Sequence, residues 1–149
     1  MLHTFVIYFI YIIDFPLDKK IILFDGVCNL CNEAVLTIIK HDHKNKFVFT
    51  ALQSSTGKKI IQELHIDISI IDSIILFNPK TSYNSKSTAA LKIMSDFGGF
   101  WKLSKLGWIF PLVFRDFIYD YIAKNRYKWF GKKDNCMIPT PELNSKFLN

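Results

Sequence analysis

A short apolar run that leads directly into a pair of cysteines constrains the fold of this chain more than any other feature. Residues 19–26 read KKIILFDG, a continuous apolar stretch bounded by lysines and a glycine, and this pattern predicts a buried strand. Over residues 29–41 the apolar residues recur at helical spacing. Cys28 and Cys31 therefore lie where a buried strand passes into an α-helix.

The rest of the chain continues this alternation of strands and helices. The predicted elements are a strand over residues 46–52, a helix from Ser54 or Ser55 through Leu64, a strand over residues 72–77, a short strand around Tyr83, and a helix that opens at Ser87 and ends at Gly98 and Gly99. The order β-α-β-α-β-β-α indicates an α/β fold. Its first half predicts a parallel strand pair with a right-handed crossover, and the later hairpin adds antiparallel strands.

The last third of the chain is aromatic and predicted to be helical. Breaks are expected at Gly107 and Pro111. Over residues 112–122 apolar side chains occupy almost every helical face, and a few charges such as Asp116 and Asp120 interrupt them. Such a segment is either sandwiched inside the protein or lies on a membrane surface. The two acids, which anionic lipid would repel, favour the sandwiched arrangement.

The chain begins with a segment of a different character, MLHTFVIYFIYII. As a helix its twelve residues from Leu2 to Ile13 would span only ~18 Å, well short of a ~30 Å hydrocarbon core. A signal peptide would need a positively charged start and a small-residue cleavage site, and this segment shows neither. We interpret residues 1–18 as an appended apolar tail and residues 19–149 as a single domain. A weak membrane or partner anchor is the alternative for the tail.

Composition narrows the class of protein and its surroundings. Half of the 149 residues are hydrophobic, which excludes a disordered chain, and three cysteines are too few for a secreted disulfide scaffold. The cysteine usage fits a reducing, cytoplasmic compartment. The net charge of +6 is concentrated near the end of the chain, around Lys124, Lys128 and Lys132. These basic residues can form a solvated surface, or they can attract an acidic partner or an anionic membrane. Nucleic acid is disfavoured, because no recognised nucleic-acid motif accompanies these lysines.

The position of the two cysteines suits thiol chemistry. Cys28 would face the free N–H groups and the positive end of the helix dipole, which stabilise a thiolate and make an attacking cysteine. Cys31 lies on the same face one turn deeper and suits a resolving cysteine. Asp25, at the end of the strand, caps the helix or the turn, or is a buried carboxylate of raised pKa that accepts the proton of Cys31.

A metal site is the main competing interpretation of the cysteines. His41 and His43 follow nearby in the sequence, yet a continuous helix would separate Cys31 from His41 by ~15 Å. Since ligands of one zinc ion each lie ~2.0–2.3 Å from it, one ion cannot reach both. We therefore predict no metal and no cofactor, although structural packing remains an alternative role for the pair.

Several stretches together resemble the DCC family of thiol-disulfide oxidoreductases, named for an Asp-x-x-Cys-x-x-Cys motif. The matching stretches are LFDGVCNLC with Asp25, Cys28 and Cys31, FTALQSSTGK, DSIILF, SYNSKSTAALKI with Ser87, FPLVFRDFIYDYIAKNRY, and Cys136 with Pro139. The resemblance covers residues 19–148 and implies a thioredoxin-like core with added C-terminal helices. Arg126 and Tyr127 are candidates to approach the cysteines, with a helix-end surface as the alternative position.

Two functions remain in view. The first is a cytoplasmic enzyme that exchanges electrons with protein or small-molecule thiols and disulfides, in which Cys28 attacks and Cys31 resolves. The second is a redox-inert, thioredoxin-like binding module that docks a protein partner or a membrane surface through its aromatic, basic C-terminal third.

Overall fold

The fold is seen in a computed structural model that describes residues 18–67 and 73–148, together with Thr4 and Pro16. The predicted tail, residues 1–18, lies almost wholly outside these described residues, and so does Asp72, the predicted start of the third strand.

Strands and helices alternate in the predicted order. The strands are β1 (Lys20–Phe24), β2 (Phe47–Ala51), β3 (Ile75–Phe77) and β4 (Tyr83–Ser85), and the helices are α1 (Asn29–His41), α2 (Ser55–Glu63), α3 (Lys86–Asp96) and α4 (Leu112–Phe130). Two 3₁₀ segments, Gly99–Ile109 and Asn144–Lys146, complete the described chain. The predicted β-α-β-α-β-β-α core with additional C-terminal helices is confirmed.

The four strands form one mixed sheet in the order β2-β1-β3-β4. β1 and β2 run parallel, with Lys20 opposite Phe47 and Phe24 opposite Ala51. β3 runs antiparallel to both β1 and β4. The crossover through α1 gives the first pair its direction, and the sheet agrees with a thioredoxin-like α/β fold.

Helices cover both faces of this sheet. Successive side chains of β1 point to opposite faces, so Ile21 packs with Ile60 of α2 on one side. Ile22 packs with Val35 of α1 and Ala89 of α3 on the other. Because both faces are covered, β1 is apolar throughout, and its end delivers the cysteine pair to the start of α1.

Two of the expected helix boundaries differ from the structure. The predicted break at Gly107 is wrong, because the 3₁₀ segment continues through it to Ile109. Gly107 instead lets this segment approach α3, since a Cβ added there would lie 2.7 Å from a methyl carbon of Leu91. The break at Pro111 is confirmed, where α4 begins. α3 begins at Lys86, one residue before the predicted Ser87.

The expectation that residues 112–122 are sandwiched inside the protein is wrong. Val113 is 83% exposed and Phe117 69% exposed. Arg126 is the only buried residue of α4. The expectation failed because the acids among these apolar residues bond to α3. Asp116 accepts a hydrogen bond from Ser87, and Asp120 pairs with Lys86 at 3.0 Å.

Within the described residues, no helix combines the length and the apolar character that crossing a bilayer requires.

Candidate active site

Cys28 is the N-cap residue of α1. Its backbone is extended, and its Sγ accepts a hydrogen bond from the backbone N–H of Cys31 at 3.2 Å. That N–H is one of the four that a helix start leaves without a partner inside the helix. The sulfur of Cys28 therefore lies at the positive end of the helix dipole.

The two sulfurs differ in their access to solvent. Cys28 is fully buried, whereas Cys31 is half-buried. Residues 131–133, which we call the cover segment, lie over Cys28, and Lys132 pairs with it in an antiparallel bridge. The backbone N–H of Asn29 donates to the carbonyl of Gly131 at 3.3 Å, and that of Lys133 donates to the carbonyl of Val27 at 2.7 Å. The cover segment is therefore hydrogen-bonded across the backbone of the fully buried Cys28.

The thiol of Cys31 is held in its protonated form. Burial raises its pKa well above the ordinary value, and the hydrogen bond and charge of Cys28 raise it further. The positive charge of Arg126 acts in the opposite direction. The two sulfurs thus differ: that of Cys28 lies at the start of α1, and that of Cys31 is the one whose burial keeps its proton.

Asp25 accepts four hydrogen bonds although it is only 7% exposed. Oδ1 accepts the backbone N–H of Val27 at 3.1 Å and the side-chain amide of Gln53 at 2.7 Å. Oδ2 accepts the guanidinium of Arg126 at 3.1 Å and the hydroxyl of Tyr127. An ionised carboxylate offers about four acceptor positions, so this one is fully used.

These contacts set the charge of Asp25. Burial raises its pKa, but the bonds from Tyr127, Gln53, Val27 and Arg126 outweigh burial and hold the pKa below its ordinary value. The expected raised pKa is therefore wrong. The turn-capping role is confirmed by the bond from Val27, and proton acceptance from Cys31 stays a prediction.

Arg126 and Tyr127 reach the site from the far end of the chain. The structure places both against Asp25, and Arg126 is 4% exposed, so the alternative of a helix-end surface position is wrong for the arginine. Burial, together with the hydrogen bond to Asp25, raises the pKa of the Tyr127 hydroxyl to about 12. No local signal in α4 could have located Arg126, because its partner Asp25 lies 101 residues earlier in the sequence.

A cavity of about 490 Å³ adjoins the pair. Cys31, Asp25 and Arg126 line one part of it, while most of its wall is apolar, with Ile93 and Trp101 as examples. Cys28 does not belong to this wall. Cavities of this size with few polar groups are typical of small-molecule sites.

Comparison with known proteins agrees with the motif. The sequence profile of the DCC1-like thiol-disulfide oxidoreductases matches residues 22–132. This chain belongs to that family. It is 44% identical to the uncharacterized protein YuxK of Bacillus subtilis over 132 residues, which are 89% of this chain and 96% of the relative.

A plant relative extends the comparison. The chain is 43% identical to the DCC family protein At1g52590, chloroplastic, of Arabidopsis thaliana over 126 residues, 83% of this chain and 73% of the relative. No solved structure matches this chain. Family membership supports a redox role for the cysteine pair.

The histidines and cysteines do not form a metal-binding cluster in the part of the chain that the structure describes. No group of three or more His, Cys, Asp or Glu side chains there could hold a metal ion. His41 instead bonds the carbonyl of Thr37 at 2.8 Å and packs its ring edge-on to Trp101 at 5.0 Å between ring centres.

Proposed function

We propose that this family member is a thiol-disulfide oxidoreductase in which Cys28 attacks and Cys31 resolves. One observation carries the assignment: the sulfur of Cys28 caps α1 and accepts the N–H of Cys31 at 3.2 Å. That contact favours the thiolate, the nucleophile of thiol-disulfide exchange, at Cys28, and it holds Cys31 within one helical turn.

The proposed reduction of a substrate proceeds in two exchanges. The Cys28 thiolate attacks one sulfur of a substrate disulfide, a mixed disulfide forms, and the other substrate sulfur leaves as a thiolate. Cys31, after losing its proton to solvent, then attacks the sulfur of Cys28 and releases the second substrate thiolate. Two electrons pass from the protein to the substrate, and a Cys28–Cys31 disulfide remains.

Arg126 and Asp25 support the second exchange in this proposal. The charge of Arg126 lowers the pKa of Cys31, which favours the thiolate that must form there. Asp25 holds this guanidinium by an ion pair of 3.1 Å and holds the turn before Cys28 through the N–H of Val27. We therefore assign Asp25 a positioning role, since all four of its acceptor positions are occupied.

Access to Cys28 requires the cover segment to move. The two backbone hydrogen bonds that form the bridge at Lys132 hold the segment in place, so a local opening is sufficient. The proposed partners are thiols and disulfides of proteins or small molecules. The three cysteines all stand as free thiols, and a reducing, cytoplasmic compartment suits a pair that cycles between dithiol and disulfide.

Thiol alkylation across a glutathione or dithiothreitol redox series tests the proposal. The full chain should show one two-electron transition, and Cys28→Ser and Cys31→Ser should each abolish it. Cys136→Ser is the matched control, because Cys136, the third cysteine of the chain, is half-buried and lies outside the pair. This variant should keep the transition. A pair that stays reduced across the whole series would refute the enzyme and favour the redox-inert binding module.

A further inference from the structure

The 3₁₀ segment Gly99–Ile109 and helix α4 expose an unusual amount of apolar surface, which we call the outer face. Phe100 is 80% exposed, Ile109 76%, Val113 83% and Phe117 69%. Single exposed apolar residues are normal in proteins, but a continuous series over two neighbouring elements marks an interaction surface.

The orientation of α4 explains why these side chains face outward. Its inward side is tied to the domain by polar contacts: Asp120 pairs with Lys86 at 3.0 Å, and the hydroxyl of Tyr119 accepts the backbone N–H of Ile74 at 2.9 Å. Arg126 adds the buried ion pair with Asp25 described above. A helix held by such directed bonds cannot rotate its apolar side inward without breaking them, so the outer face is a fixed feature of the fold.

Charge identifies what this face would bind. Residues 99–133 contain eight lysines and arginines but two acids, an excess equal to the +6 net charge of the whole chain. Both acids, Asp116 and Asp120, bond inward to α3. Lys102, Lys105 and Lys124 are exposed. The surface is therefore apolar and cationic, and each of its two acids is bonded to a side chain of α3.

We propose that the outer face docks on the surface of an anionic lipid bilayer. Apolar and aromatic side chains would enter the boundary between headgroups and acyl chains, while the lysines meet acidic phospholipid headgroups. A second copy of this chain fits poorly, because a two-fold interface would oppose like charges. The acids that disfavoured a membrane surface in the sequence are each bonded to a polar side chain of α3.

Aromatic side chains at the outer face suit the same environment. Trp108, Tyr121 and Trp129 are exposed, and tryptophan and tyrosine are enriched where one end of a ring is apolar and the other wet. The cation of Arg115 lies over the ring of Trp108 at 4.8 Å, and Tyr121 packs edge-on to Trp129 at 5.6 Å. These contacts keep the rings at the surface.

Vesicle flotation of the full chain tests the docking surface. Vesicles of phosphatidylcholine alone are compared with vesicles that also contain phosphatidylserine, at about 0.1 M and about 1 M salt, where the screening length falls from ~10 Å to ~3 Å. We expect the anionic vesicles at low salt to bind at least tenfold more protein than either the neutral vesicles or the high-salt sample. All three tryptophans lie in residues 99–130, so a blue shift of intrinsic fluorescence should accompany binding.

Matched variants locate the surface. Lys124→Glu with Lys128→Glu should lower the partition coefficient at least about 25-fold, since each lysine near an anionic surface contributes about fivefold. Lys58→Glu with Lys59→Glu changes the net charge equally on α2, across the sheet, and should change partition less than about threefold. All four lysines are exposed, so far-ultraviolet circular dichroism and thermal midpoints should match the wild type.

The apolar contribution needs its own variant. Val113→Ser with Phe117→Ser removes two exposed side chains without opening the core and should lower partition more than tenfold. The proposal is overturned if no vesicle binds the chain, if the α2 control loses as much binding as the α4 pair, or if the serine variants bind like the wild type. A wild-type chain that sediments as a dimer, and that the serine variants convert to monomer, would overturn it in favour of a second copy.

Discussion

Replacing Gly131 by alanine tests whether the cover segment controls access to Cys28. Gly131 adopts φ 87° and ψ 168°, a backbone region that is essentially restricted to glycine. A Cβ added there would lie 2.9 Å from the side-chain amide nitrogen of Asn29, which donates to the carbonyl of Phe130 at 2.9 Å. Alanine therefore strains the cover segment at its first residue and disturbs a contact that holds it.

The size of the effect follows from the backbone alone. A non-glycine residue in this region costs about 1–3 kcal/mol. If this cost is released when the cover segment opens, the open population rises about 5- to 150-fold. The assay is the alkylation rate of Cys28 at low reagent concentration, in a full chain that carries Cys31→Ser and Cys136→Ser. The rate should rise by the same factor.

Gly98 provides a control of the same backbone type. It adopts φ 77° and ψ −172°, and an added Cβ would meet nothing within 4 Å. Gly98→Ala should therefore lower the free energy of unfolding by a similar amount without changing the alkylation of Cys28. Equal rate increases in Gly98→Ala and Gly131→Ala would show that Cys28 is reached only by global unfolding. An unchanged rate in Gly131→Ala would show that residues 131–133 do not limit access.

Three further predictions concern the charges and thiols around the pair. Arg126→Leu should lower the free energy of unfolding by about 3–5 kcal/mol in urea titrations, because it leaves Asp25 buried without its cation. Asp25→Asn added to Arg126→Leu should recover part of that loss. A loss under about 1 kcal/mol in Arg126→Leu would contradict this prediction. The pKa of Asp25 is lowered in the folded state, so the stability that Asp25 contributes to the fold is present above its ordinary pKa and is lost as pH falls through the lowered value. Asp25→Asn should therefore flatten the decline of the urea midpoint between about pH 5 and pH 2. An equally steep decline in Asp25→Asn would count against these contacts of Asp25. Cys28→Ser should lower the pKa of Cys31 without restoring its ordinary value, because burial, the larger cause of the shift, persists. The pH dependence of Cys31 alkylation measures this pKa. An ordinary pKa of Cys31 in the unmodified chain would disprove the raised value.

Local patterns were sufficient to predict the core of this fold. The apolar run of β1, the helical periodicity of α1 and the stop at Pro111 each depend on residues close together in sequence, and the structure has all three. The position of the cysteine pair between β1 and α1 follows from the same local information.

Contacts between distant residues account for the errors. The hydroxyl of Tyr127, 102 residues from Asp25, does most among the hydrogen bonds that lower the Asp25 pKa, and Arg126, 101 residues away, adds to it. The bonds of Asp116 to Ser87 and Asp120 to Lys86 decide which side of α4 faces outward. No periodicity within α4 carries that information, because charged and apolar residues alternate on nearly every face of the helix.

The cover segment also has a consequence for the order in which the chain is made. Cys28 and Cys31 leave the ribosome about 100 residues before Gly131, and chains elongate at about 5–20 residues per second. For several seconds the pair therefore lacks the backbone that later lies over it, while β1, α1 and β2 can already assemble. A nascent chain therefore exposes Cys28 to cellular thiols and oxidants without the opening of residues 131–133 that reaction of the finished fold requires.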